Sequence, residues 1–340
     1  MKKNRVTLAD VALEAGLSKT AVSFALNNPE GSRLSEDAIE RAVSAAKKLN
    51  YSPNFAARTL RTQRTQSIGF LSSDVAVTRF AMAMIASALR EADASDHALL
   101  IAETGKDSKQ AHRALQALVD RQIDGLIVAE MGAKQVDAPP TPPGLKIVFA
   151  NALGPDSAPS ILPDEYQGGR TVARELLSGR LKSRILILGS HPVLETDLRV
   201  SATIGSRLKG IREALIQGGV NDWTEVTGKY WTAEFGYESM RDAAAQNKLP
   251  DAVIALNDQI AAGVYHACAE IGIKIGQDIS VVSFDDDEIV GYLRPGLTTA
   301  RLPYPEIGEL AVKMVLSADP EPGIHLVPME LQVRDSVAKG

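Results

Sequence analysis

Residues 7–27 are TLADVALEAGLSKTAVSFALN, and this stretch decides how the N-terminal part of the chain folds. Leu8, Val11 and Ala12 follow the i, i+3, i+4 spacing of a helix that buries one face. Gly16 suits a tight turn, because glycine adopts backbone conformations that other residues avoid. The stretch therefore predicts two short helices joined by a turn.

The predicted helix ends carry suitable capping residues. Thr7, followed three residues later by Asp10, fits the acidic variant of a capping box, and Ser18 fits the N-cap of the second helix. A third helix is predicted from about Ser35 to Asn50. This arrangement is typical of a helix-turn-helix, in which the second helix enters the major groove of DNA.

The charge of the chain is unevenly distributed. Residues 1–64 hold eleven Lys and Arg against six Asp and Glu, a balance of +5, whereas the remainder holds 26 against 36, a balance of −10. A basic N-terminal part in a chain whose net charge is −5 favours contact with nucleic acid. From charge alone, the alternative is a solvated basic face without a partner.

The second helix supplies the candidate DNA-reading residues. Val22, Ala25 and Leu26 would face the small core, which leaves the opposite side of the helix exposed. Lysine donates to guanine acceptors, and serine or threonine reaches either a base or a phosphate. We expect contacts to double-stranded DNA from Thr7, Ser18, Lys19, Thr20, Ala21, Ser23 and Asn27.

Composition limits the class of protein. The chain has 340 residues, 45% hydrophobic and 23% charged, and this length predicts two or three compact units. No run of 18 apolar residues and no secretory signal is present, so a cytoplasmic protein is expected. The single cysteine, Cys268, excludes an internal disulfide, and its apolar neighbours predict a buried thiol. We expect no metal and no cofactor.

After a polar linker near residues 61–66, apolar strands alternate with helices. This alternation predicts parallel sheets covered on both faces. Two successive units of this kind predict two α/β lobes with a ligand cleft at the carboxyl ends of their strands. The predicted strands are residues 67–71, 98–102, 124–128 and 147–150 in the first unit and 184–189, 224–227, 252–255 and 279–284 in the second. Helices are predicted at 168–177 and 207–217 in the second unit, and a late helix at 305–316.

Motifs for enzymatic chemistry are missing from the sequence. It contains no P-loop, no Gly-x-Ser-x-Gly and no His-Glu-x-x-His, and its five histidines are scattered. We therefore expect no catalytic residues. A sugar-modifying enzyme is one alternative, but no motif supports it. A periplasmic-type binding receptor is another, but the basic N-terminal part and the missing signal sequence argue against it.

Several segments extend this interpretation: 6–12 VTLADVA, 15–18 AGLS, 49–54 LNYSPN, 57–60 ARTL, 124–127 DGLI, 257–259 NDQ, 278–286 DISVVSFDD and 293–295 LRP. Together they resemble the lactose/galactose-repressor (LacI/GalR) family of transcription regulators along essentially the whole chain. The resemblance implies an all-α helix-turn-helix head at residues 1–52 and a hinge helix and linker at 53–66. It also implies a two-lobed, periplasmic-binding-protein-like α/β body with parallel sheets at 67–340.

The same resemblance assigns roles in the hinge. It implies that the segment 54–60 orders on operator DNA and that Leu60 wedges into the minor groove, where an apolar side chain part-unstacks a base step. Asn54, Ala57 and Arg58 would contact DNA beside it. The alternative for Leu60 is a packed side chain on a short connector helix.

The resemblance also implies effector-binding residues in the cleft between the lobes: Phe80, Asn151, Arg207, Trp231, Asp258 and Asp285. For three of these residues, a purely structural role is the alternative. Arg207 would otherwise be a surface helix arginine, Trp231 a core residue and Asp258 a helix cap. Asn151 stands where the family often has aspartate. Arg79 is unusual for its loop, and it would either meet an anionic effector or face solvent.

These expectations combine into one functional hypothesis. The chain would be a homodimeric repressor that binds near-palindromic operator DNA and responds to a small-molecule effector, a sugar or a nucleoside-like compound. No heptad pattern follows the last strand-like stretch at residues 331–333, which favours a dimer over a tetramer. Ala21 and Phe24 stand where many members of the family carry hydrogen-bonding residues, so base recognition would differ.

Overall fold

The computed structural model describes residues 6–27, 34–51, 64–76, 78–105, 107–180, 183–228 and 230–339. Contacts divide the chain into two compact units, Met1–Thr65 and Gln66–Gly340. We call them the head and the body.

The head contains three described helices: α1 (Leu8–Ala15), α2 (Lys19–Asn27) and α3 (Glu36–Lys48). Thr7 and Asp10 form the predicted capping box, and Gly16 ends α1 with a left-handed φ of 64°. Val11, Val22 and other small apolar residues from all three helices fill a common core. The predicted helix-turn-helix is therefore present.

The body contains twelve described strands and eight described α-helices. The strands are β1 (Ser67–Ser73), β2 (Ala98–Glu103), β3 (Gly125–Gln135), β4 (Lys146–Leu153), β5 (Pro159–Pro163), β6 (Ile185–Ser190), β7 (Trp223–Thr227), β8 (Ala252–Ala255), β9 (Ser280–Asp285), β10 (Thr298–Arg301), β11 (Gly323–Val327) and β12 (Leu331–Gln332). The helices are α4 (Met82–Ala94), α5 (Ser108–Val119), α6 (Glu165–Ser178), α7 (Pro192–Thr196), α8 (Ile204–Gln217), α9 (Ala233–Ala245), α10 (Asp258–Ile271) and α11 (Tyr304–Leu316). Short 3-10 helices occur at Arg79–Ala81 and Glu288–Tyr292.

The strands form two six-stranded sheets with equivalent strand orders. The first lobe has the order β11-β5-β4-β3-β1-β2 and the second β12-β10-β9-β8-β6-β7. All described strand pairs are parallel except β10 with β12. Strand order reverses beside β1 in the first lobe and beside β6 in the second. Ligands of open α/β sheets bind at the carboxyl ends of strands beside such reversals.

The chain passes between the lobes three times, contrary to the expectation of two successive units. It crosses after β5, returns after β10 so that α11 packs on α4 and β4, and crosses again after β11 to add β12. Leu302, between β10 and α11, packs against the cores of both lobes. The late helix predicted at 305–316 therefore belongs to the first lobe, because its apolar face fits the core there.

Several predicted boundaries were wrong, and four elements were missed. α6 begins at Glu165 rather than Gly168, and α8 at Ile204 rather than Arg207. β5, β10, β11 and α7 are short, and their sequences carry no clear periodicity. Among the described residues, none of the helices combines the length and apolar character needed to cross a lipid bilayer.

Close helix packing positions the second lobe's polar residues. Gly169 of α6 faces the Arg207 backbone on α8, and Gly210 of α8 faces the Tyr166 backbone on α6. A Cβ at either glycine would lie about 2.2 Å or less from a carbonyl oxygen. The two helices therefore cross with their backbones almost in contact, which brings the first turn of α6 beside Arg207.

Candidate functional site

The exposed side of α2 is the candidate nucleic-acid interface. Ser18 accepts a hydrogen bond from the Ala21 amide at 3.1 Å, as expected for an N-cap. Val22 and Ala25 are buried, whereas Lys19 and Thr20 are exposed, and Ala21 and Ser23 are half-buried. The predicted set therefore lies largely on the accessible side of the helix. Phe24 is the large exposed apolar residue on α2, and the predicted DNA-binding set did not include it.

Thr7 acts on the start of α1. Its hydroxyl donates to the Asp10 carboxylate at 2.8 Å, and its backbone amide donates to the same carboxylate oxygen. These bonds lower the pKa of Asp10. The Asn27 side chain and the hinge residues Asn54, Ala57, Arg58 and Leu60 lie outside the described part of the chain.

In the body, the second lobe brings together four of the predicted effector residues. They are Arg207, Trp231, Asp258 and Asp285, and they lie at or near the carboxyl ends of the sheet. The guanidinium carbon of Arg207 lies 5.8 Å from the Trp231 ring, and Asp285 acts electrostatically on both Arg207 and Asp258.

Arg207 is a buried ion-pair partner, not a surface arginine. Its side chain is 2% exposed, and its Nε and Nη2 donate to both carboxylate oxygens of Glu165 at 2.6 and 2.7 Å. Nη1 donates to the Leu256 carbonyl, and the guanidinium carbon lies 4.3 Å from the Phe284 ring centroid. Burial alone would lower the pKa of Arg207, but Glu165 raises it overall. Three of five guanidinium N–H groups are thus engaged.

Asp258 connects three elements of the second lobe. Its carboxylate accepts from the Thr299 hydroxyl at 2.9 Å and from the Asp287 amide at 2.8 Å, and no part of it reaches solvent. Burial raises its pKa to about 7, against the hydrogen bonds that oppose the shift. Asn257, not Asp258, is the N-cap of α10. The predicted capping role was therefore wrong by one residue, because the cap lies just outside the helix.

Asp285 ends β9 in a strained backbone conformation and lines a cavity. Its φ is 113°, and its carboxylate accepts no hydrogen bond from a described residue. Burial and the neighbouring Asp258 raise its pKa well above the ordinary value, although Arg207 opposes them.

The cavity that Asp285 lines has a volume of about 220 Å³ and is also lined by Tyr304, Arg79 and Arg301. The Tyr304 side chain is 8% exposed, and burial raises the pKa of its hydroxyl.

Trp231 stands between the core and the cleft. Its Nε1 donates to the Gly189 carbonyl at 2.8 Å, and its ring packs against both apolar clusters of the second lobe. It is only partly buried, so one part of the ring remains accessible. Both roles considered for Trp231, core residue and aromatic wall, are therefore compatible with its position.

The first lobe contributes less than expected. Asn151 is 2% exposed, has a left-handed φ of 49° and donates to the Glu130 carbonyl at 2.9 Å. It joins β4 to β3 rather than presenting an open amide. Burial raises the pKa of the Glu130 carboxyl. The Phe80 side chain lies outside the described part of the structure.

Two sets of contacts join the lobes. Arg79 of the first lobe pairs with Asp287 at 3.2 Å and with Glu288 at 3.7 Å in the second lobe. Elsewhere, residues of β3 and of the α7–α8 connection exchange backbone hydrogen bonds of 2.8 Å, from Ala202 to Ala133 and from Gln135 to Leu198. We call the Arg79 pairs the ionic latch. Arg79 is thus engaged by acidic residues, which argues against the anionic effector considered from the sequence.

Comparison with known proteins agrees with this architecture. Residues 7–54 match the family "Bacterial regulatory proteins, lacI family", and residues 174–337 match "Periplasmic binding protein-like domain". The ribose operon repressor of Escherichia coli (strain K12) is 30% identical over 335 residues, which cover 96% of each chain. The chain belongs to the LacI family. It is a DNA-binding transcription regulator of the kind that small-molecule effectors control.

A further relative supports the family assignment, and a similar solved structure supports the fold. The HTH-type transcriptional repressor PurR of Histophilus somni (strain 129Pt) is 28% identical over 343 residues, covering 97% of this chain and 98% of that protein. A crystal structure of the lac repressor dimer bound to operator and the anti-inducer ONPF superposes with a TM-score of 0.73 at 24% identity, covering 98% of this chain and 100% of that one. The LacI-family fold predicted from the sequence is confirmed, and these relatives are repressors rather than enzymes.

Sequence reasoning missed Glu165 and Tyr304. Both stand at the first position of a helix whose start was predicted too late. Asp164, the N-cap of α6, directly follows the buried strand β5, and this was the available signal for Glu165. For Tyr304 we find no comparable signal, because it follows Pro303 in a connection between the lobes.

Proposed function

We propose that this chain is a homodimeric, cytoplasmic repressor whose α2 reads operator DNA and whose interlobe cleft binds a neutral polyhydroxylated or nucleoside-like effector. The head has a net charge of +5 and an exposed helix of the helix-turn-helix, which supports DNA binding. Two related proteins are repressors, and one similar structure is a lac repressor dimer bound to operator.

One observation carries the effector assignment. Glu165 and the Leu256 carbonyl hold the Arg207 guanidinium in a fixed orientation, with two N–H groups making no hydrogen bond to a described residue. Asp285, nearby, offers an acceptor to which no described residue donates. A ligand that both accepts and donates hydrogen bonds, as neighbouring hydroxyl groups do, matches this pair. Trp231 would supply the apolar wall.

The dimer is supported by an apolar stripe on the first lobe. Met82, Ala86 and Leu89 follow i, i+4, i+7 along α4 and are exposed, and Ile101 on the neighbouring β2 is exposed as well. Soluble monomers seldom expose contiguous apolar surface of this kind. We therefore propose that the same stripe of a second copy of the chain covers it. Light scattering compares the molar mass of the wild type, expected to be a dimer, with that of Leu89→Glu, expected to be a monomer.

The effector assignment is tested by thermal shift against sugars, nucleosides and purines, followed by calorimetry on Asp285→Gly. Glycine tolerates the φ of 113° at this position, and the variant removes both carboxyl oxygens. We expect the dissociation constant of the effector to rise about tenfold, because the buried polar contact is lost and its partner on the effector is left unpaired. Leu249→Val, in the apolar core of the same lobe, is the control that reports nonspecific weakening. Unchanged affinity in Asp285→Gly would place the effector elsewhere.

DNA binding is tested by removing residues 1–65, the head. The remaining body should still bind effector, because the head and the body are separate compact units. Operator affinity in a gel shift should be lost. Retained operator binding by the isolated body would contradict the proposed role of the head.

A further inference from the structure

α2 carries a large aromatic side chain on its accessible face. Phe24 is 53% exposed, whereas Val22 and Ala25 are buried in the head core. At 100° per residue, Thr20 and Phe24 lie almost opposite the buried residues. The phenyl ring is therefore on the side of the helix that would face the floor of the DNA groove.

The chemistry of the ring limits what it can recognise. Phenylalanine has no hydrogen-bond donor or acceptor, so it cannot pair with the O6 and N7 atoms of guanine or with N6 and N7 of adenine. The apolar group on the floor of the major groove is the 5-methyl group of thymine. Over any other base, the ring would displace water from polar atoms and leave them unpaired.

We propose that Phe24 reads a thymine methyl group, and therefore that each operator half-site carries a T·A pair at the position facing Phe24. This inference rests on the proposed DNA-binding role of α2. Lys19, Thr20 and Ser23 supply hydrogen-bonding groups around the ring, so Phe24 fixes one base pair and the polar residues fix its neighbours. The proposal makes Phe24 a specificity-determining residue that the predicted DNA-binding set lacked.

The test deletes one methyl group from the DNA. Selection from random duplexes first gives the preferred site, and each thymine is then replaced in turn by uracil, which lacks only the methyl group. We expect one position in each half-site at which this change weakens wild-type binding about three- to fivefold, the effect of one buried methyl group. In Phe24→Ala, the same replacement should change the affinity less than 1.5-fold.

The controls separate a lost contact from a damaged head. Phe24→Leu keeps an apolar side chain and should keep the methyl sensitivity. Leu13→Ala removes an equally apolar residue that is 86% exposed on α1, and it should behave like the wild type. A preferred site without any methyl-sensitive thymine, or equal sensitivity in Phe24→Ala, overturns the inference alone. A selection that yields no preferred site overturns the proposed function as well.

Discussion

At the scale of single residues, the cleft is built on a buried ion pair. Arg207 and Glu165 are both nearly inaccessible, and their two hydrogen bonds use both carboxylate oxygens. Removing water from two charges is costly, and their attraction offsets this cost only while both partners are present. Arg207→Ala would therefore also lower the stability of the second lobe, because it would leave the buried Glu165 without its partner.

A double-mutant cycle measures this coupling. Arg207→Met and Glu165→Leu should each lower the unfolding free energy by about 3–5 kcal/mol, whereas the double variant should lose clearly less than the sum. Urea denaturation of the four proteins gives the coupling energy. Additive losses would mean that the two side chains do not depend on each other.

The raised pKa values of Asp258 and Asp285 predict how stability varies with pH. Both carboxyls hold a proton in the folded state at a pH where the unfolded chain has lost it, since the unfolded pKa is near 3.8. Between about pH 4 and the folded pKa, which is about 7 for Asp258, the folded state binds more protons. Its stability must therefore fall as the pH rises, with a slope of at most about 1.4 kcal/mol per pH unit for each group.

The comparison of wild type with Asp285→Asn isolates one of these groups. The difference in unfolding free energy between the two proteins should shift in favour of the variant as the pH rises from 5 to 7.5. Urea denaturation at several pH values measures it. A difference that stays constant with pH would mean that Asp285 keeps its ordinary pKa.

At the scale of secondary structure elements, two glycines set the distance between α6 and α8. Gly169 and Gly210 each face a carbonyl oxygen of the other helix, so neither position has room for a Cβ. The close crossing brings Glu165, at the start of α6, beside Arg207 on α8. Backbone packing thus decides which polar side chains meet.

Gly210→Ala tests this packing. The added Cβ would lie 2.1 Å from the Tyr166 oxygen, so the helices must separate, at a cost of about 1–3 kcal/mol or more. Thermal unfolding should show a lower Tm and calorimetry weaker effector binding. Gly291→Ala, where a Cβ would meet nothing within 4 Å, is the matched control and should change neither. An unaltered Tm for Gly210→Ala would show that the helices are not held this closely.

At the scale of the whole body, a chain of hydrogen bonds joins the cleft to the ionic latch. Asp258 accepts from the Asp287 amide, and the Asp287 carboxylate accepts from Arg79 of the other lobe. A ligand that alters Asp258 or Asp285 would therefore act on a contact between lobes. A ligand shifts such an equilibrium only if its affinities for the two arrangements differ.

Weakening the latch should weaken effector binding modestly. Arg79 is 64% exposed, and exposed ion pairs contribute about 0.2–1 kcal/mol, so Arg79→Ala should raise the dissociation constant of the effector about two- to fivefold. Arg79→Glu should have a larger effect, and adding Glu288→Arg should restore part of the affinity. Calorimetry at low and high salt measures both, and the differences should shrink at high salt. Failure of the paired reversal to restore affinity would exclude an electrostatic latch.

The sequence by itself determined the helix-turn-helix and the two-lobed α/β class of the body, but not the path of the chain between the lobes. Apolar periodicity, the capping residues Thr7, Asp10 and Ser18 and the uneven charge are local properties, and they sufficed for the helix-turn-helix and for two parallel-sheet lobes. Asp258 and Asp285 each follow a predicted strand, whereas Arg207 was expected in the cleft only from the resemblance to the LacI/GalR family. These inferences hold because period and composition follow from neighbours along the chain.

Only the tertiary structure decided what those residues do. Glu165 and Arg207 are 42 residues apart, and Arg79 and Asp287 are 208 apart, so no local pattern predicts either pair. Burial, which raises the pKa of Asp258 and makes Arg207 dependent on Glu165, results from packing several elements together. The return of α11 to the first lobe is equally nonlocal. Its apolar face packs in the first-lobe core, against α4 and β4.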